Sequence, residues 1–216
     1  MRETNYKLRK WVALALFAAL AFTATLVIRI PVSFLTLDAK DAILVIAALL
    51  FGPAEGVFAA LVTALIELIS VSSTGLWGFL MNFCSSAAFA GVSALIYRRH
   101  KTANGALFGL AGGTVTTVGV MMLLNLLVTP LYTGMPREAV AAMIPTLLLP
   151  FNFAKCLLNS AIALILYKPV SVGMKRSRLL PPGDAPASYR LDRKTVVILL
   201  IAAGIAAVGV VLLLLL

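Results

Sequence analysis

Long apolar runs separated by short polar breaks set the pattern of this chain. The first predicts a helix from about Trp11 to Ile30. A second apolar stretch follows Asp41 and ends near Phe51, before the Gly52-Pro53 turn signal. Its uncharged part is short for the roughly 20 residues that a span needs, so it is either tilted within a bundle or begins before Asp41. Further helices are predicted over about 54–70, 78–97, 103–128 and 139–167. A basic, Pro-containing segment, Lys168 to Lys194, comes next and reads as a mobile linker. Thr195 to Leu216 is a last apolar run, long enough to cross a bilayer and lacking any polar residue after Thr195. The expected organisation is a tail over 1–10, a six-helix domain over 11–168, a linker over 169–194 and an anchor over 195–216.

Composition makes the class firm. Of 216 residues 62% are hydrophobic and 12% charged, against roughly 25% charged in soluble domains. The chain reads as an all-α integral membrane protein of the cell membrane. The net charge of +10 does not point to nucleic acid, because the basic residues flank apolar runs and act as topology signals. Fourteen of the 18 Lys and Arg lie in the N-terminal tail, the 98–101 loop and the 168–194 linker. Arg29, Lys40 and Arg137 lie on the other side, and Lys155 lies inside a helix. The N-terminus is therefore expected in the cytoplasm and, with seven helices, the C-terminus outside.

One stretch carries the chemistry. Asn152, Lys155 and Asn159 follow an i, i+3, i+7 spacing, which places them on one helix face. An ammonium at membrane depth is costly unless protein, water or a ligand meets it. With the N-terminus inside, Asn82 and Asn125 also fall in the outer halves of their helices. The polar residues then converge on an outward-facing pocket. Glu67 is a further candidate, either in that pocket or paired with a lysine, and Phe79 beside Asn82 either packs or lines it. The cluster Leu37-Asp38-Ala39-Lys40-Asp41 is either an ordinary polar loop or a cover for a ligand. Ala15 and Ala19 form a small-xxx-small pair suited to close helix approach.

Absences narrow the chemistry. The sequence has no Walker-type phosphate loop and no His-Glu-x-x-His or paired-cysteine metal motif, so no metal or catalytic cofactor is expected. The single histidine, His100, lies in a basic loop, and Cys84 and Cys156 lie within apolar segments. Amides and an ammonium recognise better than they catalyse: carboxamides suit a flat heterocycle with alternating carbonyls and ring nitrogens. A membrane enzyme using Lys155 and Glu67, or an assembly protein whose asparagines serve interhelical bonds, remains open at this level.

Four segments together resemble a known family. They are Leu37-Asp38-Ala39-Lys40-Asp41 with Phe51-Gly52-Pro53, Ser73-Thr74-Gly75 through Asn82-Phe83, Asn125 with Pro130-Leu131-Tyr132, and Asn152-Phe153-Ala154-Lys155. In this order the chain resembles the S components of energy-coupling factor (ECF) vitamin transporters, and among them the riboflavin-specific type, over about residues 8–168. The resemblance implies a six-helix substrate-binding membrane subunit that captures riboflavin from outside. It implies partners: a coupling membrane protein and two ATPase subunits, which drive inward delivery. It assigns Asn125, Asn152 and Lys155 to the flavin ring, Leu37 through Lys40 to a lid, and Ala15 and Ala19 to docking of the coupling protein. An S component for thiamine, pantothenate, biotin or a similar vitamin is the alternative. The seventh helix departs from the family pattern.

Overall fold

The computed structural model describes residues 2–177, 179–180 and 193–214. Helix α1 spans Arg2–Val27. It ends before Ile30, earlier than the apolar run suggested, because Ile30–Val32 (β1) pairs antiparallel with Leu35–Leu37 (β2). The hairpin turns at Ser33, a non-glycine residue at φ 55°. A purely helical reading misses this two-stranded element.

Helix α2, Lys40–Phe51, has 12 residues, about 18 Å at 1.5 Å per residue, less than the roughly 30 Å of a bilayer core, so by itself it covers only part of the thickness. It begins before Asp41 and sits at the centre of the bundle: nine of its residues are buried. Gly52, at φ 126°, makes the sharp corner into α3, Pro53–Ser70, with Pro53 in its first turn where a missing N–H costs nothing. Helix α4 is Gly75–Arg99 and α5 is Ala103–Thr133. The two pack closely along Gly109, Gly112 and Gly113, while Gly105 abuts His100 just beyond α4; a Cβ at Gly109 would stand 2.6 Å from the Ser93 carbonyl oxygen. Close approach of small residues is the usual glue between membrane helices.

Two helices run past their predicted ends through a proline. Pro130 lies inside α5, which runs past its predicted end near 128 and is capped by Gly134 in the left-handed conformation (φ 74°). Helix α6, Arg137–Met143, passes through a π-helical turn at Ile144–Leu148 into α7, Leu149–Arg176. Helix α7 continues through Pro169, so the first part of the expected linker is helical. The linker residues 178 and 181–192 lie outside the described residues.

Helix α8, Arg193–Leu214, packs on α7, and α1 packs on α2 and α3. Among the described residues, six helical stretches are long and apolar enough to cross a membrane, the last being Val196–Leu214. The chain is a multi-pass membrane bundle with α2 as its short central member. Its main core joins Leu14, Phe17, Leu44, Ile46, Phe89 and Leu164, with Ala202 of α8.

Candidate functional site

The polar residues gather where the N-terminal end of α2, the N-terminal half of α7 and the middle of the bundle meet. Asn152, Lys155 and Asn159 project from one stripe of α7, and all three are buried. Lys155 Nζ donates to Asp38 Oδ2 at 2.9 Å and stands 3.8 Å from Asp41 Oδ2. Lys40, 2% exposed, donates to Glu67 Oε2 at 2.7 Å and to Oε1 at 2.9 Å. Glu67 is completed by Thr25 Oγ1 at 3.0 Å and Asn82 Nδ2 at 3.1 Å. Two buried ion pairs, each with further hydrogen bonds, therefore tie the connection before α2 to α7 and α3. Such charges are tolerable at depth only when partnered in this way. Burial alone would raise the Asp38 carboxyl; the ammoniums of Lys155 and Lys40 outweigh it and hold the group below the usual carboxylate range.

These groups, together with apolar neighbours, surround a cavity of about 160 Å³. Asn82, Asn152, Lys155, Asp38, Lys40 and Glu67 line it. Asn152 donates to the Leu148 carbonyl oxygen at 2.7 Å, which fixes the amide. Phe34 and Thr36 of the hairpin and Tyr132 near the end of α5 add to the wall.

Four expected site residues lie elsewhere. Asn159 is a brace: its Oδ1 accepts from the Ala42 N–H at 2.7 Å, and its Nδ2 donates to the carbonyls of Asp38 and Lys155 at 3.0 Å each. Asn125 is fully buried within α5, where it donates to the Met121 carbonyl and accepts from Thr129. Phe79 stacks on Phe83, with ring centroids 6.2 Å apart. Leu37 is buried in β2. None of the four is among the cavity-lining residues. Thr25 and the hairpin residues escaped the sequence reading. Thr25 lay inside an apolar helix, and the hairpin carries too few residues for a strand period to show. In the sequence Asp41 stands out only as a member of the Leu37–Asp41 cluster, a polar loop or a cover for a ligand. It accepts from Ser86 Oγ and adds a third carboxylate to the buried cluster.

Ala15 and Ala19 are exposed on α1, opposite the buried stripe Ala13, Leu14, Phe17, Ala18 and Ala21. Among the described residues no group of His, Cys, Asp and Glu is arranged to hold a metal ion.

Residues 9–171 match the family model described as the ECF transporter, substrate-specific component. A riboflavin transporter RibU of Staphylococcus aureus (strain TCH60) is 28% identical over 178 residues, which is 78% of this chain and 93% of that protein. A riboflavin transporter FmnP of Bacillus subtilis (strain 168) is 23% identical over 185 residues, 80% of this chain and 97% of that protein. A solved S component of a bacterial ECF transporter superposes with a TM-score of 0.67 at 28% identity, covering 79% of this chain and 99% of its own. Helix α8 falls beyond the matched stretch. With three-quarters of its length accounted for in this way, the chain belongs to the substrate-specific components of ECF transporters.

Proposed function

We propose that this chain is the riboflavin-binding subunit of an ECF importer. It takes the vitamin from the outer side and delivers it inward when joined to a coupling membrane protein and two ATPase subunits. The observation that carries the reading is the cavity itself: an amide and an ammonium one turn apart, Asn152 and Lys155, on its wall. A carboxamide pairs with the carbonyl and ring-nitrogen edge of a flavin, and an ammonium donates to a carbonyl. The two relatives named as riboflavin transporters support the same ligand.

A cavity of about 160 Å³ is smaller than the roughly 300–1,000 Å³ of small-molecule sites. Entry of a tricyclic ring therefore requires the connection bearing Asp38 to move and Lys155 to exchange its carboxylate for ligand. This makes residues Leu37 through Lys40 a lid held by an ion pair. The exposed Ala15 and Ala19 are the docking face for the coupling protein. The bias of basic residues puts the N-terminus in the cytoplasm and, with α2 counted as one of seven passes, the C-terminus outside. The chain acts by recognition and movement, with no catalytic step of its own.

An absorbance spectrum of the purified protein before and after denaturation tests the ligand. A flavin spectrum released on unfolding is the expected result. Absence of bound flavin, together with no quenching of added riboflavin fluorescence at saturating protein, would overturn the assignment.

A further inference from the structure

We infer that Arg29 is a specificity-determining residue, a guanidinium at the mouth of the cavity that receives the anionic end of a flavin whose side chain carries a terminal phosphate. The inference rests on the flavin reading above.

It starts from a charge inventory. Five charged side chains line the cavity: Arg29, Asp38, Lys40, Glu67 and Lys155. Four of them close on one another, Lys40 with Glu67 and Lys155 with Asp38. Arg29 makes no ion pair with any described residue. It lies two residues beyond the end of α1, in the short link to β1. Thr25 is buried against Glu67, whereas Arg29 is exposed. Charge along the cavity is thus compensated at depth and positive at the mouth.

The deep end is unsuited to an anion. Lys40 is held by Glu67, and a ring carbonyl that takes Lys155 leaves the Asp38 carboxylate facing the site. Asp38 Oδ1 is buried with no hydrogen-bond partner, an acceptor that repels a second acceptor. The mouth is the reverse. Ser73 and Thr74, exposed in the connection between α3 and α4, present hydroxyls to the same cavity as the guanidinium. The planar fork of Arg matches two phosphate oxygens at once, and hydroxyls can donate to the third. A ligand with a flat neutral ring and a charged tail would therefore lie ring inward and tail outward. The phosphate of a lipid headgroup shares this chemistry and is the competing partner for an exposed Arg at a membrane surface.

Full-length protein in detergent, titrated with riboflavin and with riboflavin 5′-phosphate by fluorescence quenching, decides the matter. Arg29→Ala should lower affinity for the phosphorylated flavin at least tenfold more than for riboflavin, about the worth of one charge-assisted contact. Arg29→Lys should recover part of that difference. Raising the ionic strength should weaken only the phosphorylated ligand in the wild type. Equal losses for both flavins would make Arg29 structural. No change in either would assign the guanidinium to lipid headgroups. Wild-type protein that binds riboflavin and rejects the phosphate would overturn the anionic subsite and leave the riboflavin reading standing. Failure to bind either flavin would overturn both.

Discussion

Lys155 Nζ and Asp38 Oδ2 meet at 2.9 Å across 117 positions of the chain. The stripe-bearing helix and the connection before α2 are thereby joined by one buried ion pair. Removing one partner strands the other, at a cost of about 3–5 kcal/mol for a buried pair. Lys155→Met alone should lower the thermal midpoint sharply. Asp38→Asn with Lys155→Met should regain much of that stability. Riboflavin affinity in the double variant should stay about 10- to 100-fold below wild type, because the donor to the ligand is still missing. Thermal unfolding and quenching titrations separate the two effects. A double variant with wild-type affinity would remove Lys155 from the ligand.

The same pair has a pH signature. The Asp38 carboxyl lies below its usual range in the folded chain, held there by Lys155 and Lys40 against the effect of burial. Its contribution to stability is fully present above the unfolded value, about 3.9. It is lost as pH falls from there through the lower folded value. Thermal stability should therefore show an acid-side decline below pH of about 4 that is shallower in Asp38→Asn. An identical decline in the variant would assign the acid limb to other carboxylates.

Asn159 should separate from Asn152 in experiment, although the sequence places them on one stripe. Asn159 satisfies the Ala42 N–H and the Asp38 carbonyl from a position 1% exposed. Asn159→Ala orphans both, at about 1–3 kcal/mol for each buried group left unpaired. The expected outcome is a lowered thermal midpoint, with a smaller loss of riboflavin affinity than Asn152→Ala produces. The reverse order would put Asn159 on the ligand.

The contrast shows what was legible. Helical periodicity placed the 152/155/159 face, and the apolar runs placed the membrane helices, because both signals are local. The partner of Lys155 was not legible: no local rule connects it to Asp38, 117 residues away. A helix face also does not reveal which of its members meets a cavity and which meets a neighbouring backbone, and this separates Asn152 from Asn159. Asn125 was expected on the ligand, yet its amide is spent on Met121 and Thr129 within its own helix. Ile30–Val32 and Leu35–Leu37 are three residues each, apolar and continuous with a helix run, so no change of period announces the hairpin. Helices α5 and α7 run past their predicted ends through Pro130 and Pro169, because membrane helices tolerate proline where neighbouring groups re-satisfy the backbone.

Docking and binding should be separable on α1. Ala15 and Ala19 are exposed, and the buried stripe of the same helix faces α2 and α3. Ala15→Leu with Ala19→Leu should leave riboflavin affinity within about twofold, since neither residue lines the cavity. Uptake into cells carrying the coupling protein and ATPases should be abolished, because small residues permit the close helix approach that leucine blocks. Loss of binding in the purified variant would place this face in the bundle interior.

Helix α8 lies beyond the family match, but its packing makes it part of the bundle. A Cβ at Gly209 would stand 2.9 Å from Leu158 Cγ and 3.3 Å from the Ala154 carbonyl oxygen. Near its C-terminal end, then, α8 touches α7 near its start, on the residues that flank Lys155. Ala202 of α8 is fully buried in the same core. Gly209→Leu should destabilise the protein by about 1–3 kcal/mol, the usual cost of overpacking a close contact. It should also weaken riboflavin binding a few-fold by displacing α7, with no direct contact to the ligand. Thermal unfolding and titration of this variant beside Gly204→Leu, at a position with open space around it, make the comparison. Equal behaviour of the two variants would reduce α8 to a tether that rests in lipid.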